Sequence, residues 1–314
     1  MVELHLPVME KEVLHYLNCH TGGVYVDATI GDGGHAETIL KKIGNEGHLI
    51  GIDWDEDALE RAGNRLNEYR RQVTLVQADY SKLQEILKEA GFSQVDGILI
   101  DLGASTLQLM DADRGFSFHH TGDLDMRMDR RRSLTAKEIV NHYSADQLAE
   151  VFFRFGEERF SRRIAARIVR EREKMNSISS SSELAEIVKA AVPARFRRHG
   201  GHPARRVFQA LRLAVNRELE NITAVLPQAV ESLAPRGRIT VIAYHSLEDR
   251  LVKKFFREKS GHCSCPPNMP CACRSRAELK VITGKAVKST DQEVESNPRA
   301  RSARLRAAEK ILTS

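Results

Sequence analysis

No apolar run in the 314-residue chain approaches bilayer-spanning length, so a helical membrane span is not expected. The opening residues, MVELHLPVMEKEV, carry acids early and lack an apolar signal core, which argues against a secretory route and predicts a cytoplasmic location. Cysteine is scarce. There are five, four of them between Cys263 and Cys273 with Cys19 alone, a cytosolic pattern rather than a disulfide framework. No H-E-x-x-H or comparable metal spacing occurs, and no spaced G-x-G-x-x-G, so a bound pyrophosphate is not strongly implied. No internal repeat is visible. What remains is 314 residues with 41% hydrophobic content, enough for a sizeable core and two domains.

Charge is unevenly spread. Residues 1–113 hold 9 Lys and Arg against 20 Asp and Glu, whereas residues 114–217 hold 22 against 12. Residues 218–314 hold 17 against 11. An acidic part beside a basic part suggests a polyanion for the second and a different ligand for the first. Solvated helix faces with internal ion pairs are the plainer explanation, but a surplus of ten exceeds what i,i+4 pairing balances.

The organising stretch runs from Val24 to Asp53. An apolar run ends in Asp27, a loop Gly31-Asp32-Gly33-Gly34 follows, then an apolar-periodic helix, then a second apolar run ending in Asp53. This is the first unit of a nucleotide-type α/β sheet. The alternation continues with a helix over Asp55–Arg71, a strand Val73–Val76 closing at Asp79-Tyr80, another helix, and the apolar run Ile98-Leu99-Ile100 ending in Asp101. Apolar runs of this kind fit parallel strands covered on both faces. Four acids at strand ends form a rim where such sheets bind ligands.

The alternation then stops. Residues 103–133 read as a loop, followed by helical patterns at Thr135–Asn141, Ala145–Phe155, Arg159–Lys174, Ser182–Val192 and Arg205–Leu233. Ser144 and Ser181 are the expected N-caps. A strand returns at Gly237–Ala243, then the turn Tyr244–Arg250, a helix to about Lys259 and a weak strand Leu279–Thr283. The tail NPRARSARLRAAEKIL is compatible with helix or strand. The expected organisation is a sheet domain of residues 1–113 and 218–314, with a helical insertion at 114–217.

The acidic rim matches what S-adenosylmethionine requires, and matches it better than NAD. Asp27 suits the amino acid end, Asp53 the ribose diol, and Asp79 with Tyr80 the adenine; the alternative is that such acids cap the following helices. Methyl transfer to an amine needs alignment more than a strong base. Acceptors for an amino-methyl transfer would lie at Asp101 to Ser105, although the Asp/Asn-Pro-Pro-aromatic tetrapeptide common there is missing. The densest basic clusters are Arg195–His199 with His202–Arg206, then Arg127–Arg132, whose guanidinium groups suit phosphates and bases. Cys263, Cys265, Cys271 and Cys273 are compatible with a structural zinc or with reduced thiols, and no catalytic metal is implied.

Several motifs together resemble one family. They are Asp27–His35 (DATIGDGGH), Asp101-Leu102-Gly103, Arg114–Phe118 (RGFSF), Leu124–Asp129 (LDMRMD), Gly156–Arg159 (GEER), His202–Arg205 (HPAR) with Phe208–Arg212 (FQALR), His245–Arg250 (HSLEDR) and Asn297–Ser302 (NPRARS). From about His5 to Lys310, in order, the chain is similar to the MraW (RsmH) family of bacterial 16S rRNA methyltransferases. The resemblance implies a Rossmann-like class I S-adenosylmethionine-dependent methyltransferase sheet with an inserted all-helical, RNA-gripping domain. It implies N4-methylation of a cytidine in the decoding centre of small-subunit 16S rRNA. Cofactor contacts would fall on Gly33, Gly34, His35, Asp53, Asp79, Tyr80, Asp101 and Gln108, with Asp101 the catalytic residue. The loop Gly103–Gln108 reads GASTLQ where the family usually has Val-Ser-Ser-Pro before Gln, and Asp123 stands where Pro is usual. A homodimer is compatible with the sequence, which leaves oligomeric state open. A methyltransferase on DNA or a protein amine, and a non-catalytic assembly factor, are the competing expectations.

Overall fold

A computed structural model describes residues 7–118, 121–197, 201–262 and 276–312. The cysteine loop and His199 lie outside the described residues. Seven strands form one sheet: β1 (Val24–Asp27), β2 (His48–Asp53), β3 (Val73–Gln77), β4 (Val95–Asp101), β5 (Leu233–Ala243), β6 (Leu279–Val281) and β7 (Arg304–Lys310). Their order is β3-β2-β1-β4-β5-β7-β6. The first five are parallel, and β7 runs antiparallel between β5 and β6.

Helices cover both faces, which explains why the strands are apolar without alternation. On one face pack α1 (Glu10–Leu17), α2 (Gly34–Ile43) and α3 (Glu56–Arg65), through Val13, Leu17, Ile39, Leu40, Ile43 and Ala62. α4 (Leu83–Glu89) lies on the other, with Leu83, Ile86 and Leu87 buried against Ile50, Ile98 and Val241. The chain divides into two compact units, Met1–Gly103 with Leu219–Ser314, and Ala104–Glu218. The second unit is helical: α5 (Thr106–Met110), α6 (Ala136–His142), α7 (Ala145–Gly156), α8 (Ser161–Met175), α9 (Ser181–Ala191) and α10 (Arg205–Asn216). α11 (Glu218–Ser232) returns the chain to the sheet and buries Ile222, Val225, Leu226 and Ala229, and α12 (Ser246–Lys259) adds Val252 and Phe256 to the same face. A short α13 (Asp291–Ser296) precedes β7.

Four local expectations change, and the open question of the tail is resolved. The helix after Asp53 stops at Arg65 rather than Arg71, with a 3-10 turn at Asn67–Tyr69. Ser180, not Ser181, caps α9, its hydroxyl accepting from Glu183 N–H. The single helix expected over 205–233 is broken at Arg217, which adopts φ 53° and donates back to Leu213 O. Arg212 and Glu218 bridge the break at 2.9 and 3.0 Å. The stretch 103–133 contains α5, opened by a Ser105–Gln108 capping box. The tail is a strand because it is interior to the sheet. Leu305, Ala307 and Ala308 are buried between neighbours on both sides, and Arg306 is neutralised by Asp249 at 2.6 Å.

Candidate active site

The acids converge at the carboxyl ends of the parallel strands. Asp27, Asp53 and Asp101 are the last residues of β1, β2 and β4, whereas β3 ends at Gln77 and Asp79 lies in the turn beyond it. The rim therefore has three strand-terminal acids and one turn acid. The loop after β1 is laced to its neighbours through its backbone: Ala28 N–H donates to Leu99 O and Ile30 N–H to Ile52 O, each at 2.9 Å. Gly33 turns the chain into α2 with φ 80°. The left-handed backbone calls for glycine there, and a Cβ would come into van der Waals contact with Ala62 of α3 at 3.4 Å. Gly34 and His35 open α2, with His35 buried.

Asp53 holds this loop. One carboxylate oxygen accepts from Gly31 N–H at 2.9 Å and the other from Asp55 N–H at 3.0 Å. Each oxygen keeps a further lone pair, the acceptor pair that a ribose diol requires. Burial pushes Asp53 up to about 6, against the pull of those amides. Asp27 is only 1% exposed and accepts from Thr29 N–H at 3.2 Å. Among the described residues it has no cationic partner. Burial, with Asp101 and Asp53 adding their charge, raises it from 3.8 to about 8. A buried carboxyl without a counter-ion fits a ligand that brings a positive charge, and S-adenosylmethionine carries an ammonium and a sulfonium.

Asp101 is the most constrained of the three. Its backbone N–H donates to Thr29 Oγ1 at 2.7 Å. The Tyr244 hydroxyl donates to Oδ1 at 2.9 Å, and His35 Nε2 lies 3.7 Å from Oδ2. Burial raises Asp101 to about 6, while the Tyr244 bond and the charge of Arg299 pull it down. Burial and the adjoining carboxylate hold the Tyr244 hydroxyl well above its usual range, so it stays protonated and donating.

Tyr244 and Arg299 were not singled out from the sequence as site residues. Tyr244 immediately precedes the quoted motif HSLEDR and Arg299 lies within NPRARS, yet only the fold shows that the two motifs meet Asp101. Glu248 ties the first motif down by accepting from Tyr244 N–H at 2.8 Å and His245 N–H at 3.2 Å.

The remaining expected residues have local partners. Asp79 accepts from Ser81 N–H at 2.9 Å and from Asn221 Nδ2 at 3.1 Å, so the capping role is present in the structure. Asp55 likewise caps α3 through Asp57 N–H. The Tyr80 ring lies 5.8 Å from that of Trp54, and both are largely buried. Gln108 belongs to the helical unit, where its side chain accepts from Ser105 N–H at 3.0 Å. Among the described residues no group of three or more His, Cys, Asp or Glu is arranged to hold a metal.

A mixed sheet of this order, its first five strands parallel, with a glycine turn after β1 and carboxylates closing β1, β2 and β4, is that of a Rossmann-like class I methyltransferase that uses S-adenosylmethionine. The particular group is given by comparison with known proteins. The chain belongs to the MraW methylase family, whose model matches residues 2–311. It is 48% identical over 309 residues to "Ribosomal RNA small subunit methyltransferase H" of Halothermothrix orenii, covering 98% of this chain and 99% of that one. The protein of the same name from Heliobacterium modesticaldum is 46% identical, with 99% and 100% covered. Among solved structures, an rRNA methylase from Streptococcus thermophilus aligns with TM-score 0.42 and 9% identity over 96% of this chain and 94% of that one, too distant to carry weight.

Proposed function

We propose that this protein methylates N4 of one cytidine in the decoding centre of 16S rRNA in the small ribosomal subunit, at the expense of S-adenosylmethionine. The observation that carries the chemistry is the oriented Asp101 carboxylate, held through Oδ1 by Tyr244 and through its backbone by Thr29. The names of the relatives at 45–48% identity support rRNA as the substrate class.

Bound S-adenosylmethionine supplies an electrophilic methyl group, whose transfer to the amine forms a C–N bond, breaks a C–S bond and leaves one amine proton to be accepted. Asp27 balances the positive charge of the ligand's amino acid end, and Asp53 accepts from the ribose hydroxyls. The amides of Gly33 and Gly34, with His35, line the turn against the cofactor. Tyr80 and the Asp79 turn take the adenine. Asp101 accepts an N4 hydrogen bond, which draws the amine's delocalised lone pair toward nitrogen, and then takes the proton. A carboxyl with its pKa near 6 is ionised at neutral pH and ready for that role. If the cytidine is stacked in its helix, it must swing out to reach this carboxylate.

Methyl transfer from labelled S-adenosylmethionine to purified small subunits, with nucleoside analysis, tests the proposal. Label in N4-methylcytidine is expected, and label in another nucleoside contradicts it.

A further inference from the structure

The helical unit spans the basic part of the sequence, yet most of its arginines are already engaged. Arg127 is bound bidentately by Asp125, and Arg212 by Glu218. Arg172 donates to Val140 O at 2.8 Å, Arg197 to Val192 O at 2.8 Å and Arg206 to Glu157 O at 3.0 Å. Much of the cluster that looks like an RNA grip in the sequence therefore staples loops within this unit.

Several arginines differ, and two of them meet at one place. Arg159 and Arg195 are exposed, and among the described residues neither has a carboxylate or carbonyl partner. Both instead lie on aromatic faces. The Arg159 guanidinium carbon is 4.0 Å from the Phe196 ring centre and 4.7 Å from that of Phe160, and Arg195 is 4.7 Å from Phe196. The two rings are 5.3 Å apart at 44°. A guanidinium lying between two rings would need them about 7 Å apart, two van der Waals contacts. Arg159 is therefore not sandwiched between the rings but sits against the pair and remains exposed.

We propose that Arg159, Phe160, Arg195 and Phe196 form a stacking platform for an unpaired nucleotide of the RNA substrate. This deepens the rRNA reading and rests on it. The exposed Arg159 guanidinium stacks on a base, as guanidinium planes do on splayed-out RNA bases. Its N–H edge and that of Arg195 are unspent donors for the adjoining phosphate. The surplus of ten positive charges over residues 114–217 supplies the complementary field. Double-stranded RNA offers no exposed base face, so the platform discriminates in favour of single strands.

The test uses the full-length protein and fluorescence anisotropy with a labelled single-stranded RNA and a duplex of the same length, titrated at several salt concentrations. Arg159→Ala is expected to weaken single-strand binding about tenfold, the scale of one lost stacking contact, and duplex binding less than about twofold. Arg159→Lys keeps the charge but not the plane, and is expected to lose nearly as much affinity while keeping the salt slope. Lys189→Ala, which removes a cation paired with Glu186, should bind as the wild type does. Wild-type affinity in Arg159→Lys, or equal losses on single strand and duplex, would overturn the platform. Arg159 is exposed, so these variants fold, and their melting temperatures verify it. Methyl transfer to small subunits is assayed in parallel. If the wild type transfers none, the rRNA reading fails; if it does and the variants bind like the wild type, the platform alone fails.

Discussion

Asp27 should make the ligand-free protein lose stability as the pH rises through neutrality. Its carboxyl is 1% exposed, faces two other acids and has its pKa raised from 3.8 to about 8. A raised folded-state value means that the fold binds a proton the unfolded chain releases. The associated stability is full below pH 3.8 and is lost as the pH climbs to about 8. Across the whole window the ceiling is about 6 kcal/mol, at 1.36 kcal/mol per unit, and the share falling between pH 6 and 8 is about 2 kcal/mol. Urea unfolding of the apo protein at pH 6, 7 and 8, compared with Asp27→Asn, reads this share directly. The wild type is expected to lose about 2 kcal/mol more than the variant over that range, because asparagine has no proton to release. S-adenosylmethionine should stabilise the wild type more at pH 8 than at pH 6, since its positive charge compensates the ionised acid. Identical pH slopes for the two proteins would refute the assignment of Asp27 as a proton-holding site awaiting a cation.

Three more outcomes follow from the geometry. Asp53→Ala removes the acceptor of Gly31 and Asp55 N–H as well as the ribose acceptor. Calorimetry should show cofactor binding weaker by at least roughly a hundredfold, as for the loss of two charge-assisted hydrogen bonds. In Tyr244→Phe the donor that lowers the Asp101 pKa is gone. The acid limb of the kcat profile, near pH 6 in the wild type, should move upward while the KM for S-adenosylmethionine stays within about twofold; an unmoved limb would remove Tyr244 from the site. Gly115→Ala places a Cβ 2.0 Å from Asp123 O at a residue with φ 69°. The melt should show a loss of more than about 2 kcal/mol.

The sheet was legible because parallel strands buried on both faces must be apolar throughout, and each of β1, β2 and β4 closes with an acid. The tail was ambiguous for a physical reason. Alternating Arg and Ala fits an exposed helix as well as a strand until Asp249 is seen to neutralise Arg306 inside the sheet. The break at Arg217 was hidden, since a left-handed turn at a non-glycine residue leaves no composition signal and depends here on the Arg212–Glu218 bridge. Asp101 could be picked out because it ends an apolar run. Tyr244, 143 positions away and donating to it, could not, because that contact exists only once β4 and β5 are paired. The basic cluster was visible as charge, but which arginines are spent on carbonyls and which are stacked on rings is decided by packing.

The proposed role of Asp101 in N4-methylation of a 16S rRNA cytidine can be tested at the carboxylate itself. The most direct measurement is transfer of labelled methyl to small subunits by the wild type and by Asp101→Asn, with nucleoside analysis and cofactor binding measured in parallel. N4-methylcytidine is expected from the wild type, and a rate at least about a hundredfold lower from Asp101→Asn, with cofactor still bound. Full activity in the variant, or label in any other nucleoside, would contradict it.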